Sequence, residues 1–121
     1  MKTLSQFTAH LEKNKEYYQQ QAQQLAQDNR PDESIMAKIR GNMFDIIMQI
    51  KDAAEKLHPE SPISFISEFI DKITARWEAS IAASEAHNDH SKAAIERIKL
   101  NTMAEIKELL PSIEEDTNVG H

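Results

Sequence analysis

Met36-Ala37-Lys38-Ile39-Arg40-Gly41-Asn42-Met43-Phe44-Asp45-Ile46-Ile47-Met48-Gln49-Ile50 is the stretch whose reading decides the fold. Met36, Ile39, Met43, Ile46 and Ile50 recur at alternating steps of three and four, and Ala53 and Leu57 carry the same row onward. A strand would show a period of two, and a period near 3.5 places one apolar seam along a helix. The helix is expected from about Asp32 to Leu57, with Ile46 and Ile50 as the most buried positions of its seam. Pro31 suits its first turn, and Asp32 and Glu33 stand where the positive end of the helix dipole favours acids. Gly41, inside the helix, costs about 1 kcal/mol against alanine. Either a close helix contact needs a small residue there, or the cost is tolerated.

Three further segments share this periodicity. Before the break at Asp28–Asp32, a helix from about Ser5 to Gln27 carries Leu4, Phe7, Leu11, Tyr18, Ala22 and Leu25 on one stripe. Pro59 and Pro62 interrupt the chain again, and Ser61-Pro62 reads as an N-cap followed by proline at the first helical position. The third helix presents a broad apolar arc of Ile63, Ile66, Phe69, Ile70, Ile73, Trp77 and Ile81. Its pattern fades at Ala86-His87-Asn88-Asp89-His90-Ser91. A turn capped by Asp89 or Ser91 is expected there, with one long continuous helix as the alternative. The fourth helix, with Ile95, Ile98, Thr102, Ile106 and Leu109 on one side, runs to about Leu110, where Pro111 ends it. Four such helices joined by short loops predict an all-α, antiparallel up-down four-helix bundle. Residues 1–111 form its single domain, and 112–121 a short, disordered, acidic tail.

Composition narrows the function classes. The chain has 121 residues, which suits one domain. Two glycines and four prolines are too few for many tight turns, which argues against an all-β fold. The absence of cysteine excludes disulfides and thiolate chemistry. A net charge of −6 disfavours nucleic acid as a partner. No apolar run reaches the ~20 residues of a membrane span, and Met1–Gln6 has no apolar leader segment, so a cytoplasmic location is expected. No phosphate-binding loop, nucleophile elbow or zinc-protease motif occurs, so no cofactor is implied and an enzyme is disfavoured.

His87-Asn88-Asp89-His90 is the polar cluster with most chemical content. Two histidines three apart with an aspartate between them supply His87, Asp89 and His90 as metal ligands if another donor joins them. The competing reading is a capped polar turn. Glu55-Lys56-Leu57-His58 matches the Glu-x-x-His spacing of di-iron bundles, but such sites need a second copy of the motif and further glutamates. His10 at the edge of its stripe, and the pairs Glu12/Glu16 and Glu105/Glu108, read as boundary and surface residues.

Ile73-Thr74-Ala75-Arg76-Trp77, Ala86-His87-Asn88-Asp89 and Ile95-Glu96-Arg97-Ile98-Lys99-Leu100, with Lys38–Ile46 alongside, resemble a family of small uncharacterised all-helical proteins of Gram-positive bacteria. The resemblance implies a bacterial cytoplasmic helical bundle. It implies no activity and transfers no site residues.

The functional expectation is a non-enzymatic interaction protein that self-associates. Phe44, Ile47 and Met48 form a second apolar face on the second helix, and a surface helix of a bundle has no use for two. A second copy related by a two-fold axis, giving a homodimer, is the simplest cover, with an unidentified protein partner beside it. A metal- or small-ligand-binding bundle using the His87–His90 turn is the alternative.

Overall fold

The computed structural model describes residues 3–112. It contains four helices, α1 (Leu4–Gln27), α2 (Pro31–Leu57), α3 (Pro62–Ala86) and α4 (His90–Leu109), and no strand among the described residues. Residues 113–121, most of the expected tail, lie outside the described residues.

The helix ends show why the chain breaks where it does. Thr3 caps α1: its hydroxyl accepts from the Gln6 N–H, and the Gln6 side-chain oxygen accepts from the Thr3 N–H, each at 3.1 Å. At the other end, Asn29 adopts a left-handed φ of 60°. The Arg30 N–H then donates to the Leu25 carbonyl at 2.9 Å, and the Asn29 N–H to that of Ala26 at 3.2 Å. These are the two bonds of a Schellman closure.

The α3–α4 junction repeats the device. Asn88 has φ 59°, the Asp89 N–H donates to the Ser84 carbonyl at 2.7 Å, and the Asn88 N–H to that of Glu85 at 3.1 Å. Residues 86–91 are therefore a turn and not part of one long helix. Asparagine does what glycine usually does, because its side chain lowers the cost of the left-handed backbone. Asp89 then caps α4, its carboxylate accepting from the Lys92 N–H at 3.1 Å. Ser61 stands at the N-cap of α3 but forms no side-chain capping bond.

The core draws on the first half of α1 (Phe7, Leu11), the second half of α2 (Met43, Phe44, Ile47, Ala54), the first half of α3 (Ile63, Ile66, Ile70) and the end of α4 (Met103, Ile106, Leu110). An up-down-up-down chain brings those four halves to one end. Cross-links fix the pairing within each hairpin: Lys15–Asp45 and Ser34–Ala22 between α1 and α2, Asp71–Lys107 and Glu85–Arg97 between α3 and α4. α1 packs mainly along α2 and α3 along α4, while α2 and α4 each touch all three other helices.

The packing of α2 against three helices overturns two expectations. Its buried set is Ser34, Ala37, Gly41, Met43, Phe44, Ile47 and Ala54, and Ile46 and Ile50 are only partly buried at the margin of the core. Of the expected seam, Met36 is 39% exposed and Leu57 69%. Apolar residues cover so wide an arc of α2 that their spacing alone leaves its rotation ambiguous.

What fixes that rotation is a row of small residues facing α1. The buried Ser34 hydroxyl donates to the Ala22 carbonyl at 2.7 Å, and a Cβ built on Gly41 would sit 3.4 Å from that of Tyr18. Phe44 stacks on Tyr18 with ring centroids 5.8 Å apart. The second overturned expectation is the interface. Phe44 and Ile47 are core residues of this chain, 2% and 0% exposed, and Met48 is partly buried against them. The second apolar face of α2 is covered by the chain's own helices.

Ile47→Ala should destabilise the fold by about 2–5 kcal/mol, and Ile46→Ala by clearly less, measured by urea denaturation. Phe44→Glu should unfold the chain and not release a folded monomer, which circular dichroism checks. Gly41→Ala gains helix propensity and places its methyl in ordinary contact with Tyr18, so it should stabilise by roughly 0.5–1 kcal/mol. Gly41→Leu should lower the thermal midpoint, because its Cβ would already lie 3.4 Å from that of Tyr18 and 3.8 Å from the Lys15 carbonyl oxygen, leaving the rest of the side chain to push against α1.

Candidate functional site: an uncovered end of the bundle

The inward rows do not stop where the core stops. On α1 the row Leu4, Phe7, Leu11 runs on through Tyr18, Ala22 and Leu25, and on α3 the row Ile63, Ile66, Ile70 runs on through Ile73, Trp77 and Ile81. On α2 the positions in step with Ala54, Ile47 and Met43 are Arg40 and Met36, and on α4 those in step with Ile106 and Thr102 are Lys99 and Ile95. Every large, fully buried side chain lies in the half holding the α2–α3 loop. In the half holding the other two loops, the buried residues are small: Ala22, Ser34, Ala37, Ser84 and Ala93.

Large apolar side chains are nevertheless present there, and they meet solvent. Tyr17, Ile35, Met36 and Ile95 account for four of the five exposed large apolar residues among the described residues; Leu57, at the opposite end, is the fifth. Between α1 and α2 a groove is lined by Tyr17, Tyr18, Gln21, Leu25, Glu33, Met36, Ala37 and Arg40. Its floor is low because Ala37 and Gly41 let the two helices approach closely.

Charges around the groove are unevenly matched. Glu33 is held by Arg30 at 2.7 Å, while Arg40 forms no ion pair among the described residues. Burial raises the Tyr18 phenol above its ordinary pKa, the Glu105 carboxylate on α4 raises it further, and Arg40 pulls the other way. Tyr18 is therefore neutral at physiological pH and available as a hydrogen-bond donor. On the other hairpin, Lys99 lies 6.0 Å from the centre of the half-buried Trp77 ring and 3.9 Å from Glu96. Glu96 Oε2 is buried without a hydrogen-bond partner.

The residues singled out for metal binding are placed differently. His87 is the C-cap of α3, Asp89 is engaged as the α4 cap, and His90 is the exposed first residue of α4. Among the described residues no three His, Asp or Glu side chains are grouped where they could hold a metal ion. His58 stacks on Phe65 with ring centroids 4.7 Å apart, and His10 is exposed. Trp77 packs against the margin of the core. No helix among the described residues is long and apolar enough to cross a membrane. No family model, curated protein or solved structure matches the chain.

Sequence reading missed this end of the molecule because each row is continuous. Nothing in the spacing of Met36 or Ile95 distinguishes a covered turn from an open one. The available signal was the small size of the residues that are buried at this end, Ala37 and Gly41 on α2 and Ser84 and Ala93 on the second hairpin, which cannot fill a four-helix core.

Asp89→Ala should cost about 1 kcal/mol through loss of the cap. His87→Ala should be nearly neutral. Added zinc should leave the thermal midpoint of the untagged protein unchanged, whereas a metal held by the folded state would raise it.

Proposed function

We propose that this chain is a non-enzymatic interaction protein, a helical bundle that holds a partner against its uncovered end. The observation that carries the reading is the gathering of Tyr17, Ile35, Met36 and Ile95 in the half of the bundle without large buried side chains. Scattered exposed apolar residues are normal on a soluble surface, but four of them in the half without large buried side chains, with Tyr17 and Met36 lining one groove, support a surface that makes contact. The Phe44 and Ile47 face does not support this reading, since those residues are used internally. The His87–His90 turn supports no competing one, since its aspartate is a helix cap.

The test compares the wild type with a Met36→Glu/Ile95→Glu double variant, both immobilised and exposed to extract of the native host. Both positions are exposed, so the double variant should keep its thermal midpoint within a few degrees. A protein retained by the wild type and lost by the folded variant supports the reading. Identical capture by the two sinks it.

A further inference from the structure

We infer that the outward face of α2 pairs with the same face of a second copy, the two helices running antiparallel about a two-fold axis at Asn42. This goes beyond the partner proposed for the open end. At about 100° per residue, Ile35, Ile39, Asn42 and Ile46 fall within an arc of roughly 60°, opposite the buried Phe44 and Ala37. Their steps of four, three and four are those of a coiled-coil seam. Ile35 is 51% exposed, Asn42 is exposed, and Ile39 and Ile46 are half-buried. A row of isoleucines on the side of a helix turned away from its own bundle suits a second helix laid along it.

The row matches itself, which makes a second copy its occupant. In the antiparallel arrangement Ile39 of each copy falls beside Ile46 of the other, and Asn42 meets Asn42. On the opposite flank of the seam, Lys38 of each copy falls beside Asp45 of the other. Each contact is made twice, as a two-fold interface requires. Lys38 forms no ion pair among the described residues. Asp45 holds Lys15 at 2.9 Å on one oxygen and accepts from Gln49 at 3.1 Å on the other, which leaves lone pairs for a second cation. Parallel pairing would set Lys38 against Lys38 and Asp45 against Asp45, so charge selects the antiparallel register. Asn42, the polar residue within the row, fixes that register further, because it is best satisfied opposite its own copy. Between Ile35 and Gln49 this face carries one charge of each sign, Lys38 and Asp45. The repulsion implied by a net charge of −6 therefore lies elsewhere on the molecule.

One helix pair of about 15 residues is small for a specific interface, below about 1,200 Å2, so the dimer should be reversible with a Kd of roughly 10–100 µM. Sedimentation equilibrium over that range reads it directly. Ile35→Glu and Ile39→Glu should each leave a folded monomer, with circular dichroism establishing the fold. Lys38→Glu and Asp45→Lys should each weaken self-association by on the order of tenfold, since each sets like charges together twice. An equimolar mixture of those two variants should recover the wild-type affinity, because both mixed contacts then pair opposite charges. A wild type that stays monomeric throughout the range overturns the proposal. So does a folded Ile35→Glu variant that still dimerises, or a mixture that associates no better than its components. The Met36→Glu/Ile95→Glu variant lies off this row and should dimerise like the wild type; a dimer split by that variant instead would move the contact to the open end and overturn the proposal. Capture of a host protein at the open end is read separately, so either result can fail without the other.

Discussion

The close approach of α1 and α2 through Ala22, Ser34, Ala37 and Gly41 is the constraint on which the rest of the molecule depends. Two helices normally sit 8–10 Å apart, and the lower end of that range needs small side chains at the contact. The buried Ser34 hydroxyl would be costly without a partner, and the Ala22 carbonyl supplies one. With this row turned toward α1, the geometry of α2 sends Met43, Ile47 and Ala54 toward the second hairpin and leaves Ile46 and Ile50 at the margin. Choosing the other rotation, with Ile46 central, would expose Phe44 and separate Tyr18 from its stacking partner.

Much of the fold was legible from spacing. The α1 stripe and the α3 arc consist of residues that are all buried or partly buried, and helix boundaries at Gln27, Leu57 and Pro62 coincide with the breaks read from proline, asparagine and aspartate. What spacing could not give was the phase of α2. Its apolar residues span so much of the circumference that several rows of three and four can be drawn through them. The correct one runs through a glycine, a serine and an alanine, which hydrophobic patterning weighs least. The capping box of Thr3 and Gln6 was present in the sequence and follows a known signature, yet its Thr3 lies two residues before the expected helix start at Ser5.

The candidate site was less legible for a related reason. Met36 and Ile95 carry no motif, because they are core types at core spacing, and what distinguishes them is that they stay 39% and 40% exposed. That exposure depends on how two hairpins meet, which is a property of tertiary packing. The polar cluster that did look chemical, His87–His90, has a local explanation in which Asn88 supplies the left-handed turn and Asp89 the cap. Asparagine and aspartate serve turn geometry as readily as ligation, so their presence between two histidines discriminates weakly.

The concentration of large buried side chains at one end gives the bundle a gradient of cohesion along its axis. Helical turns around Ile47, Ile66 and Ile106 separate from their neighbours only when the whole core comes apart. Turns around Ala22, Ala37 and Ala93 are held by smaller contacts and by the two asparagine closures. Transient opening is therefore cheaper at the double-loop end than at the core end, by the difference in apolar area each turn removes from water. The separation of the helices can therefore change at the double-loop end at less cost than at the end that holds the core.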